Sequence, residues 1–253
     1  VIELHATTIA LLVTVALFAG WIDAVAGGGG LIQLPALLLV FPHSATLTAM
    51  GTNKTSSIIG TSVAVRTYTR AHTPDWGLAR RIMLVAFVSS GLGTFTATRV
   101  STEFLRPAIV VVLAAVWLFT IVRKPVVDRE VFEVAHHANA LLIAGVVGFY
   151  DGLIGPGTGS FLLIGFVTFV GLTFLGASVA AKLANWATNL ASIIVFGATG
   201  HILLWLALCM GAANALGGWL GARTAIAKGS AFVRIVFLCT TGALLVKLAW
   251  SLV

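Results

Sequence analysis

The chain has 253 residues, of which 59% are hydrophobic and only 9% charged, with a mean hydropathy of +1.06. A soluble domain carries about 25% charged residues, so water could not wet this surface, and repeated apolar runs point to a polytopic helical membrane protein. The net charge of +7 would suggest nucleic acid in a soluble protein; here most Arg and Lys fall between apolar segments, where basic residues set membrane orientation. Stretches such as 107–122 do not alternate, which excludes an outer-membrane barrel.

In chain order, apolar segments are predicted at 5–26, 31–42, 45–66, 77–98 and 104–122, then at 138–154, 159–172, 175–196, 202–222 and 231–250. The first lacks a basic region before it and a small-residue cleavage site after it, so it reads as a membrane helix rather than a signal peptide. The second segment of each set is short. At 1.5 Å per residue, about twelve residues span about 18 Å, less than the roughly 30 Å of a hydrocarbon core, so half-helices or re-entrant pieces are expected there. Cys209 and Cys239 lie in apolar runs and read as packing residues.

The chain repeats itself. GWIDAVAGGGG (20–30) aligns with GFYDGLIGPGT (148–158), matching Gly20 to Gly148, Asp23 to Asp151, Gly27 to Gly155 and Gly29 to Gly157, all 128 positions apart. GTNKTSSII (51–59) aligns with ATNLASIIV (187–195), 136 positions on, and EFLRPAIVVVLAA (103–115) with AFVRIVFLCTTGA (231–243), again at 128. The expected organisation is a first membrane repeat over 1–123, a cytoplasmic linker over 124–136 and a second repeat over 137–253. Basic residues cluster at 66–81, at 123–129 and at 223–234, whereas 197–201 and 1–5 have none. With the basic regions inside, corresponding loops of the copies fall on opposite sides and both termini are periplasmic. This predicts inverted repeats with five segments each; Arg99 and Arg106 run against it. Inverted repeats are a signature of secondary transporters, whose sites lie at the repeat interface.

The glycine runs explain themselves in such an architecture. Irregular backbone survives at membrane depth only where it is buried in protein or lines a wet cavity. Gly28, Gly29 and Gly30 let the chain turn, so the segment after them presents unpaired N–H groups and a positive dipole end, an anion site. Gly157 and Thr158 do the same in the second copy. The buried charges are Asp23, Asp151, Lys54 and Lys182, and an ionisable group in the membrane is a functional hypothesis by default. Lys54 sits beside Asn53; Lys182, Asn185 and Asn189 share one helical face. Cation, amide and hydroxyl donors replace water around an oxyanion. The bland alternative is that each Lys neutralises an Asp and holds helices together. Asp23 and Asp151 repel anions; they cap broken helix ends, pair with the lysines, or carry a coupling proton, because an apolar setting disfavours the charged form. The histidines lie away from these acids, and no metal, cofactor or catalytic constellation is expected, which sets an intramembrane enzyme aside.

GWIDAVAGGGGLIQLPALL, GTNK, DGLIGPGTGSF and KLANWATN, in that order, resemble the sulfite exporter TauE/SafE family, also called TSUP transporters. The resemblance covers nearly the whole chain. It implies a permease of the bacterial inner membrane for a small sulfur-containing anion such as sulfite, a sulfonate, sulfoacetate or thiosulfate, with seven to nine spans. The family's second glycine motif commonly has consecutive glycines; here Pro156 and Thr158 interrupt it. Lipid is an expected partner, nucleic acid is not, and a homodimer is compatible with the sequence. A passive anion channel is the alternative within transport.

Overall fold

The computed structural model describes residues 4–122 and 137–228. The linker over 124–136, the tenth segment at 231–250 and the Phe232/Arg234 match therefore lie outside the described residues. Those residues form helices joined by short loops: α1 (Ala6–Ala26), α2 (Gly30–Val40), α3 (Thr46–Ala71), α4 (Trp76–Ala97), α5 (Thr102–Val122), α6 (His137–Leu153), α7 (Thr158–Gly165, continued by a π turn Phe166–Val170), α8 (Phe174–Ala198) and α9 (Leu204–Lys228). Each of the first nine predicted segments is a helix, and no strand occurs among the described residues. Among the described residues, four helices, α1, α4, α8 and α9, are long and apolar enough to cross a membrane. With 11 residues in α2, and about 1.5 Å per residue, that helix cannot cross a core of about 30 Å.

Two predicted boundaries are corrected. α3 runs on to Ala71, so Arg66 and Arg70 lie on its final turns rather than in a loop. α9 likewise carries Arg223 and Lys228. Long basic side chains extend a helix past the apolar stretch because their heads reach the interface while their stems cover it. Asp75 stops the short 72–75 connection and caps α4, accepting from the Gly77 and Leu78 N–H groups at 2.8 and 3.3 Å; a carboxylate there satisfies donors that the helix leaves orphaned. Cys209 is a second correction of a different kind. It is exposed on α9, so it packs nothing inside the bundle.

Packing crosses the midpoint of the chain. α1 lies along α9 and α6 along α4, while α3 packs on α8 and α9 and α4 on α8. The close approaches rest on glycine, which lets helix backbones meet in a membrane. A Cβ on Gly20 of α1 would overlap the Asn214 backbone of α9, and one on Gly148 of α6 would crowd the Ala86 backbone of α4. A Cβ on Gly221 would overlap the Trp21 carbonyl, and one on Gly93 the Phe149 carbonyl. Each residue of the first contact in these two sets has its counterpart in the second 128 positions away. Between α4 and α8 a chain of hydroxyls takes the place of glycine: Ser90 donates to the Thr188 carbonyl at 3.0 Å, and Thr94 to Ser192 at 2.9 Å.

Candidate functional site: a polar cavity between two broken helices

The first break follows α1. Gly27 takes a left-handed conformation (φ 76°) and its N–H returns to the Asp23 carbonyl at 2.8 Å. That geometry ends a helix cleanly and suits glycine. The second break holds two left-handed glycines, Gly155 (φ 98°) and Gly157 (φ 84°), ahead of α7. The breaks touch. Ser160 N–H donates to the Gly27 carbonyl at 3.1 Å, its hydroxyl donates to the Ala26 carbonyl at 2.6 Å, and a Cβ on either Gly27 or Gly159 would run into the other's strand of backbone. A tyrosine braces each break. Tyr68 donates to the Ala24 carbonyl at 2.7 Å, and Tyr150 donates to the Pro156 carbonyl.

Where the breaks meet, a cavity of about 30 Å³ opens, room for two or three water-sized spheres. Asn53, Lys54 and Ser57 reach it from α3, and Asn185 and Asn189 from α8. Asp23, Asp151, Gly30, Gly157 and Thr158 complete most of its wall. Thus nine of the expected site positions converge. Gly28, Gly29 and Lys182 do not line the cavity. Gly27, Ser57, Gly155 and Gly159, outside the expected set, also line it; the alignment of Gly27 with Gly155 is the sequence signal for two of them, whereas nothing local marks Ser57. Among the described residues, the Gly30 and Gly159 N–H groups at the starts of α2 and α7 have no protein acceptor. This is what a first helical turn leaves for a ligand or water.

The four charges expected within the apolar segments, Asp23, Lys54, Asp151 and Lys182, are all paired, and both pairs cross the chain's midpoint. Lys54 Nζ lies 2.6 Å from Asp151 Oδ2, with side chains only 5% and 2% exposed. Lys182 Nζ lies 2.7 Å from Asp23 Oδ2 and also donates to the Asp23 carbonyl. The lysines therefore do neutralise the aspartates, and the carboxylates also hold the breaks. Asp23 Oδ1 accepts from the Gly29 N–H at 3.4 Å. Asp151 Oδ1 accepts from the Thr158 hydroxyl at 2.6 Å. The site is electrically balanced, with two cations against two carboxylates and a surplus of amide and backbone donors. Among the described residues, no three His, Cys, Asp or Glu side chains converge as a metal site would need.

An all-helical membrane bundle with two interrupted helices around a buried polar cavity belongs to the class of polytopic membrane proteins built to handle a solute within the bilayer. The chain is a member of the Sulfite exporter TauE/SafE family, whose profile matches residues 12–248. It is 33% identical over 242 residues to the probable membrane transporter protein ORF9 of a Sinorhizobium species, covering 95% of this chain and 92% of that one. It is 33% identical over 227 residues to a probable membrane transporter protein of Haemophilus influenzae, covering 89% and 88%, and 29% identical over 238 residues to the probable membrane transporter protein YfcA of Escherichia coli, covering 94% and 88%. No solved structure gives a significant match. The protein is a membrane transporter and not an enzyme.

Proposed function

We propose that the chain is a secondary transporter that moves a small sulfur-containing anion, such as sulfite, a sulfonate, sulfoacetate or thiosulfate, across the bacterial inner membrane together with a proton. The observation that carries this reading is the cavity in which the two breaks meet under three amide side chains, Asn53, Asn185 and Asn189. Oriented N–H groups and amides solvate an oxyanion without adding net charge. Because Lys54 and Lys182 are already matched by Asp151 and Asp23, a bound monoanion would leave one uncompensated charge in a poorly polarisable interior. A proton taken up with it restores the balance, and this favours coupled transport over a passive channel.

The two halves would be inverted repeats, a reading supported by the glycine contacts that recur 128 positions apart across α1/α9 and α4/α6. Alternating access then comes from one half moving against the other around a fixed site. Both termini would be periplasmic, and a homodimer would leave the site within each chain.

The test is binding to purified protein by calorimetric titration with sulfite, thiosulfate, sulfoacetate, taurine, sulfate and chloride. Wild type should respond to one sulfur anion, and Asn53→Ala and Asn189→Ala should weaken that response. These variants are preferred to Lys54→Ala, which would strip Asp151 of its counter-charge and confuse binding with folding. Equal response to all anions, or none, would remove the substrate class. Flux that saturates and exceeds the anion's own gradient would exclude the channel.

A further inference from the structure

The Thr158 hydroxyl has one hydrogen and two acceptors within reach, Asp151 Oδ1 at 2.6 Å and the Gly155 carbonyl at 2.7 Å. It can serve only one at a time. Thr158 is 2% exposed and Asp151 1%, so no bulk water competes for either place. We infer that Thr158 is the positioning residue through which the protonation of Asp151 is felt by the second helix break, making Asp151 and not Asp23 the group that carries the coupling proton. This rests on the reading of the chain as a proton-coupled carrier and deepens it.

The step balances. With Asp151 ionised, Thr158 donates to Oδ1 and Lys54 faces Oδ2. A proton delivered through the cavity that Asp151 lines binds Oδ1, the oxygen turned away from the ammonium. The new acid O–H donates to Thr158 Oγ1, and the Thr158 hydrogen swings to the Gly155 carbonyl. Lys54 has then lost its counter-charge and becomes available to an incoming monoanion. One proton and one monoanion enter the cavity, and its net charge returns to its starting value. No electrons move.

The groups that face Asp151 favour this division of labour. Lys54 reaches it from α3, and Asp23 of α1 shares the cavity, with Lys182 of α8 behind Asp23. Tyr150, on the same helix, is committed to the Pro156 carbonyl. α4 carries Arg80 and Arg81 on exposed first turns, and α7 carries no ionisable side chain. Asp23 is tied differently. Its lysine also holds its backbone carbonyl, its second oxygen accepts a backbone N–H that cannot turn, and Lys182 stays out of the cavity. A fixed amide donor has no second position; a hydroxyl does.

Infrared difference spectra on acidification of the purified wild-type chain, Thr158→Val, Thr158→Ser and Asp151→Asn test this without any substrate. A carboxylic-acid C=O band should appear in wild type and be missing in Asp151→Asn. Its frequency should move in Thr158→Val, where the acid loses its hydroxyl partner, and return in Thr158→Ser. Should Asp151→Asn fail to fold, ¹³C-aspartate labelling of a chain carrying Asp23→Asn, Asp75→Asn and Asp128→Asn, which leaves Asp151 the one aspartate of the sequence, assigns the band. Absence of a titrating Asp151 band, or a band at the same frequency in Thr158→Val, overturns the inference. In proteoliposomes with radiolabelled sulfite as probe, the ratio of flux with a pH gradient to flux at equal pH should fall towards one in Thr158→Val and recover in Thr158→Ser, whatever each variant's own flux at equal pH. A ratio as large in Thr158→Val as in wild type argues against a coupling role. A moving band in a protein that binds no sulfite would sink the substrate reading and leave this one standing; sulfite binding with an immobile band would do the reverse.

Discussion

The two helix breaks are built from the same parts and tied down unequally. At the first, Asp23 retains 16% side-chain exposure, and its lysine is shared between carboxylate and backbone. At the second, Asp151 and Lys54 are both sealed from solvent, and Lys54 has no other partner among the described residues. The pairing lysines are not equivalent in the two copies: the position matching Lys54 is Leu190, and that matching Lys182 is Thr46, both 136 positions away. The two aspartates matched in sequence are thus paired with cations from unmatched positions. What the difference teaches is that breaks with matching sequence need not be tied down alike. Under the inference drawn above, the first break would act as a fixed pivot and the second as the part that changes state.

The largest expected effect separates the two ion pairs. Lys54→Met leaves a carboxylate buried and unpaired, a loss of about 3–5 kcal/mol, whereas Lys182→Met should cost less because Asp23 keeps some exposure and the Gly29 N–H. Thermal unfolding in detergent would show the order, and Lys54→Met/Asp151→Leu should recover most of the loss, since replacing both charges removes the orphan. Equal losses for the two lysines would erase the contrast.

Next come the glycines. Gly27→Ala puts a methyl into the Gly159 backbone at a left-handed residue, combining overpacking of about 1–3 kcal/mol with a left-handed penalty of about 1–2 kcal/mol. Gly155→Ala has the backbone penalty but meets the mobile end of Lys54 at 3.2 Å and the Asp151 carbonyl at 3.2 Å. Its stability loss in the same unfolding assay should be the smaller of the two, while its effect on transport should be the larger, because the methyl pushes on the ion pair.

The smallest effect concerns the tyrosine braces. Tyr68→Phe and Tyr150→Phe each remove one hydrogen bond to a carbonyl, about 1 kcal/mol. Their unfolding shifts should be alike; a transport defect confined to Tyr150→Phe would sharpen the distinction between the breaks.

Much of this arrangement was legible beforehand. Hydropathy located each described helix, and the glycine runs beside Asp23 and Asp151 located both breaks, because a charge and a helix stop have few uses in lipid. Asn185 and Asn189 followed from their helical spacing with Lys182, and Asn53 from its place beside Lys54 in a polar run. The pairing of Lys54 with Asp151 and Lys182 with Asp23 did not, since each lysine had two aspartates to choose from and the choice is made by packing between distant helices. The same limit hid Gly93 and Gly221, which correspond at 128 positions but sit in unremarkable apolar sequence, and Ser57, one hydroxyl among several. The full reach of α3 and α9 was missed because arginines read as loop signals even when they decorate a helix end.

The laying of α1 against α9 has a consequence for how the protein is made. Gly20 of α1 waits for Asn214, 194 residues further along the chain. At a ribosomal rate of about 5–20 residues per second, the wait is about 10–40 s. For most of that interval Asp23 stands at the end of an inserted helix while Lys182, 159 residues further along, has not been synthesised. The nascent first half therefore depends on its insertion machinery, or on water at the bilayer edge, to shelter a carboxylate whose eventual counter-ion is still a codon in the message.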